Sequence, residues 1–181
     1  MVWTYRGRAV PLEVYHGVPR GWRANEIVAE HARLGGTFDL TGPEATEPGA
    51  PAWLPERYSW LQYRQMLHRV GEGILQGDAA CVEIAVRYIV LRYIGSYSGF
   101  LRQMLARRLK HATLNENQRR RLCSHFAQLV IDGERTDEFR EYAKLWRKIA
   151  TTGEVKRLIA ELRRDSNNGG RVRWLETLFA S

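Results

Sequence analysis

The side chains of this 181-residue chain best able to do chemistry are five histidines, two cysteines and 28 basic residues. His16, His31, His68, His111 and His125 occur in no HExxH or HxH spacing that would turn two imidazoles onto one metal ion. Glu26 and Glu30 lie four apart and share a helical face, whereas His31 projects about 100° away from Glu30. His16 could join them only through the fold, so solvated polar residues are the plainer reading of this group. Cys123 and His125, two apart on a helix, cannot face each other as nucleophile and base. The stretch RVGEGILQGD is rich in glycine but lacks the lysine and the preceding strand of a phosphate-binding loop. No serine sits in a nucleophile elbow. The expectation is therefore no enzyme, no metal and no cofactor.

Binding chemistry is better represented. Arg140, Lys144, Arg147 and Lys148 share one side of a helix, beside a stripe of Phe139, Tyr142 and Trp146. Lys156 and Arg163 take the corresponding side of the next helix. Like charges at i,i+4 cost a helix about 0.2–0.5 kcal/mol each, and Glu141 is the main local offset. Such a ladder is either a solvated face or a surface for an anionic partner. Arg108 and Arg119 fall inside the apolar arcs of their helices. Their stems could cover the core edge while the guanidinium groups reach water or a structural carboxylate. Alternatively the two form a cluster that grips a partner's carboxylate or phosphate.

The charge is unevenly spread. Residues 1–56 hold 5 basic and 7 acidic side chains, and residues 57–181 hold 23 and 13, within a chain of net charge +8. The second part thus suits an acidic protein, nucleic acid or a membrane face. Only 4 of the 28 basic residues are lysine, a bias that a GC-rich bacterial genome produces. No apolar run reaches the roughly 18 residues of a membrane span, and the start has no signal-peptide core. With Cys81 and Cys123 on apolar helix faces, reduced buried thiols and a cytoplasmic location are expected, without membrane insertion.

The elements that must position these residues centre on Asp78–Ile94, DAACVEIAVRYIVLRYI. Its apolar residues circle nearly the whole helical wheel, and only Glu83, Arg87 and Arg92 interrupt them. That pattern predicts a central buried helix, N-capped by Asp78 and carrying a Glu83–Arg87 pair. Residues 1–56 read as an arm: a β-hairpin around Arg6-Gly7-Arg8, a helix from Asn25 to Leu34, and a proline-rich strap. The strap, Thr37 to Pro55, should dock through Phe38, Trp53 and Leu54. Residues 57–181 read as helical throughout. A helix over Arg57–Gln76 is weakened by Gly71 and Gly73, and another runs from Ser98 to His111. Capping boxes at Thr113–Glu116 and Thr151–Glu154 open two more. Asp137–Ala150 is helical, and Asn167-Asn-Gly-Gly170 closes one helix before a last one carrying Val172, Leu175, Leu178 and Phe179.

Helices start near 78, 114 and 152, and their partners near 98, 136 and 170, an offset of about 36–38 residues with two helices per unit. In period and patterning, residues 57–181 resemble HEAT-like α-solenoids, with an orthogonal helical bundle as the alternative. The resemblance implies a mainly α stack of antiparallel helix pairs whose surface holds something large. The function expected is a protein-binding module, such as an adaptor, regulator or toxin-neutralising immunity-type protein, that receives an acidic partner on its basic face. The alternatives are nucleic-acid binding, and an enzyme with its site between arm and helical domain. Against nucleic acid, Tyr142 and Trp146 read as core, so no stacking platform is visible.

Overall fold

The structure, a computed structural model, describes residues 2–5, 8–11, 17–41, 55–95, 97–134 and 138–180, and these are mainly helical. Two short strands, β1 (Val2–Tyr5) and β2 (Arg8–Pro11), pair antiparallel with Val2 opposite Pro11. The helices described are α1 (Ala24–Arg33), α2 (Pro55–Leu75), α3 (Ala79–Leu91), α4 (Ser98–Leu109), α5 (Glu116–Ile131), α6 (Phe139–Ile149), α7 (Thr152–Leu162) and α8 (Gly169–Phe179). None of them is long and apolar enough to cross a membrane.

The chain divides into two compact units, Met1–Thr113 and Leu114–Ser181, not at the boundary near Glu56 that charge and composition suggested. The reason is packing. Ile27 of α1 and Leu40 just beyond it are buried, and α1 contacts both α2 and α3. The arm's helix therefore belongs to the first core.

In the first unit α3 is packed by α1, α2 and α4. Eight of its thirteen residues are buried, with Ala85, Val86, Tyr88 and Ile89 fully inaccessible, as a helix apolar nearly all round requires. Asp78 is its N-cap, accepting from the Cys81 backbone at 2.7 Å. The helix stops at Leu91 because Arg92 takes a left-handed conformation (φ 54°), three residues before the expected end. Gly71 and Gly73 do more than weaken α2. A Cβ on Gly73 would stand 2.4 Å from Cys81 Sγ, and one on Gly71 2.7 Å from Met104 Sδ. Hydrogen at these two positions lets α2 lie against both α3 and α4. The strap's first residues dock: Phe38 lies under the Arg69 guanidinium, 4.9 Å from the ring centroid, and Leu40 is buried. Trp53 and Leu54 lie outside the described residues.

In the second unit α5 packs on α6, and α6 and α7 both pack on α8. Its core is aromatic, with Phe126 stacked on Tyr142 at 4.9 Å and Trp146 edge-on to Phe179 at 5.4 Å. The Thr151–Glu154 capping box is present as expected. The other box is two residues later than expected: Asn115 accepts from Gln118 N at 2.9 Å, and Gln118 accepts from Asn115 N at 3.0 Å. Glu116 is thereby left at the first helical position, where its carboxylate meets Arg119. Gly169 and Gly170 open α8 instead of closing α7. Gly169 is helical (φ −53°), and Asp165 and Asn168 make the intervening turn by bonding Asn167 N and the Leu162 carbonyl.

Candidate binding surfaces

Helix α6 buries Phe139, Glu141, Tyr142, Ala143, Leu145 and Trp146, leaving Arg140, Lys144, Arg147 and Lys148 exposed on the remaining side. Lys156 and Arg163 of α7 are exposed as well. Two of these cations are held by internal carboxylates. Lys144 Nζ donates to the buried Glu141 at 2.7 Å, and Arg163 to Glu176 of α8 at 2.5 Å. Arg140, Arg147 and Lys156 have no ion pair among the described residues. Arg140 and Arg147, two helical turns apart, are therefore the cations of α6 without an ion pair among the described residues.

Arg119 is engaged within its own unit. Its guanidinium donates to Glu116 (2.8 Å) and Glu154 (2.7 and 2.9 Å), and also reaches the Ile149 carbonyl at 3.2 Å. Bonding to Arg119, ahead of the cost of burial, holds the Glu154 carboxyl down at about 2, and Thr151 adds to the effect. The same glutamate thus caps α7 and ties it to α5. With all its donor directions engaged, Arg119 is a tie between helices and not the partner-gripping residue its sequence position allowed. Arg108 belongs to the first unit, where its half-buried stem passes over Gly71.

The N-terminal group that looked like solvated polar residues is only partly so. His31 is buried, with its ring against Gly36, and Nε2 lies 3.1 Å from Asp78 Oδ1. Asp78 Oδ2 accepts from the backbone of Thr37 (2.7 Å) and Phe38 (2.9 Å). Burial opposes ionisation of Asp78, but the backbone N–H groups of Cys81, Phe38 and Thr37 outweigh it and hold its carboxyl well below the usual range. An ionised carboxylate only accepts, so His31 Nε2 carries its proton. Cys81 Sγ completes a buried group whose ligand-type atoms lie within 4.8 Å of one another. Burial, then the Asp78 charge, pushes that thiol far up, so it stays protonated and is a poor nucleophile. Both carboxylate oxygens already have chain donors, which makes this group a clamp joining α1, residues 37–38 and α3.

Between α1 and α3, Glu26 and Glu30 line one cavity of about 550 Å³ with Trp22, Ile27, Ile84, Arg33 and Arg87. Glu30 accepts from Arg33 at 2.5 Å and from Arg87, and the expected Glu83–Arg87 pair is present at 2.6 Å. Bonding to Arg33, ahead of burial and Arg87, holds Glu30 at about 2. The charges at this rim are matched within the chain.

Sequence reasoning missed the α2–α4 face. Arg64 of α2 lies over the rings of Trp60 and of Tyr97 at the start of α4, and Tyr97 lies beside Phe100. The only sequence signal was the aromatic pair at Tyr97 and Phe100, three apart, with Arg64 and Trp60 a further helix away. No protein-family model, curated protein or solved structure matches the chain.

Proposed function

We propose that this chain is a non-enzymatic binding module, of the adaptor, regulator or immunity-protein kind, that holds an acidic protein on the basic face of α6 in its second unit. The carrying observation is that Arg140 and Arg147 are exposed without an ion pair among the described residues, on a helix whose aromatic residues are all buried. A face of charges without exposed rings offers ion pairs to carboxylates but no stacking for bases. Lys156 of α7 is a further exposed cation of that unit, and Lys144 contributes less because Glu141 already neutralises it. A HEAT-like arrangement is the architecture we favour for residues 57–181. In its support, α3, α5 and α7 start 37 and 36 residues apart, and the sequence-adjacent pairs α3–α4, α5–α6 and α7–α8 each pack together.

The test is fluorescence anisotropy with a labelled polyglutamate peptide as the acidic probe. Arg140→Glu with Arg147→Glu should weaken binding at least about tenfold, while stability changes by no more than about 1 kcal/mol because both residues are exposed. Wild-type binding should also weaken with added salt. Unchanged binding by the folded double variant overturns the reading.

A further inference from the structure

We infer that the α2–α4 face of the first unit is a second binding surface, for single-stranded nucleic acid. Phe100 is 65% exposed and Tyr97 42%, and their rings lie 5.0 Å apart. Two neighbouring large rings left open to water are an uncommon loss of burial, and flat π-faces are what unpaired bases stack upon. The Arg64 guanidinium lies 3.6 Å from the Tyr97 ring centroid and 4.5 Å from that of Trp60, which fixes Tyr97 in place. Tyr97 is also held at φ 68°, a conformation a bulky residue rarely adopts. Such an outlier is most often kept where it aims a side chain.

The charge on this face has the sign a phosphate backbone needs. Arg64 of α2 lies over the Trp60 and Tyr97 rings, and Arg108 of α4 is half-buried beside Gly71 of α2. On α2 the exposed residue His68 has its imidazole held below its usual value by partial burial first and then by the positive field of Arg64, with Glu72 opposing and Arg108 adding a smaller effect. Trp60 Nε1 and Arg64 Nε are enclosed without a hydrogen-bond partner among the described residues, two donors pointing at no internal acceptor. Stacking rings interleaved with cations are what separates this face from the ring-free face of α6. A duplex buries its bases and offers no such stacking, so the occupant is a single strand.

The experiment uses the full chain and a fluorescein-labelled oligothymidylate of about 16 nucleotides, the upper site size for one stacking module. A duplex of equal length and a polyglutamate peptide are the comparison arms. Phe100→Ala and Tyr97→Gly, the latter able to adopt the positive φ freely, should each weaken the single strand by about 5- to 150-fold, the range that loss of one base–ring stack gives. Duplex and polyglutamate affinities should stay within about twofold. The inference is overturned if Phe100→Ala, a change at an exposed residue, binds the single strand like wild type. It is equally overturned if all three probes lose affinity in parallel, or if only polyglutamate binding responds, which would make the rings a protein-docking surface.

Discussion

Replacing Asp78 with alanine tests whether one carboxylate holds the first unit together. Oδ1 accepts from Cys81 N at 2.7 Å and from His31 at 3.1 Å, and Oδ2 from Thr37 N at 2.7 Å and Phe38 N at 2.9 Å. Loss of the helix cap costs about 1 kcal/mol. The two backbone donors of the strap and the buried imidazole then lack an acceptor, at about 1 kcal/mol each when water reaches part of the site. The expected loss is about 3–5 kcal/mol, a large fraction of the roughly 5–15 kcal/mol that holds a domain. Asp78→Asn should lose about 2–3 kcal/mol, because its amide turns a donor toward one set of donors. Asp39→Ala removes a side-chain acceptor of one backbone N–H, Thr41 N at 2.8 Å, from an exposed loop site, and should cost under about 1 kcal/mol. Urea unfolding gives the stabilities, and amide hydrogen exchange at Thr37, Phe38 and Cys81 reads this unit separately from the other. An Asp78→Ala protein within about 1 kcal/mol of wild type, with those amides still protected, would refute the reasoning.

Gly73→Ala should destabilise by about 1–3 kcal/mol, since its Cβ must displace Cys81 Sγ and the Phe38 ring, whereas Gly153→Ala on open α7 should stabilise by about 0.5–1 kcal/mol. Chemical denaturation of the two variants checks both signs. Glu154 has its carboxyl lowered from 4.5 to about 2, so its contribution is present above 4.5 and is lost as pH falls toward 2. Glu154→Gln should therefore cost about 1–2 kcal/mol at neutral pH and flatten that part of the acid-stability curve, as thermal melts between those values would show. Lys144→Glu should destabilise more than Arg140→Glu, because it places a second negative charge against buried Glu141, whereas Arg140 has no ion pair among the described residues.

Much of the helical pattern was written in local spacing. The near-continuous apolar wheel of 78–94 required a covered helix, and α3 is buried because no register of that segment leaves its apolar residues wet. Thr151 and Glu154, three apart, could cap α7 with no help from the rest of the chain. The exposure of Arg140 and Arg147 likewise followed from their place on a side of the helix apart from the stripe of Phe139, Tyr142 and Trp146. Pairings across long sequence separations were illegible for the same physical reason. His31 and Asp78 are 47 residues apart, Arg119 and Glu154 35 apart, and nothing in the spacing of either partner names the other. Gly71 and Gly73 carry a helix penalty in local terms, and only the approach of Met104 and Cys81 explains them. Nothing in the local spacing of the rings at 97 and 100 marks them as exposed. Whether an aromatic residue is buried or left facing water depends on what else covers that face, and tertiary packing alone decides it, with Tyr97 and Phe100 left open beside Arg64.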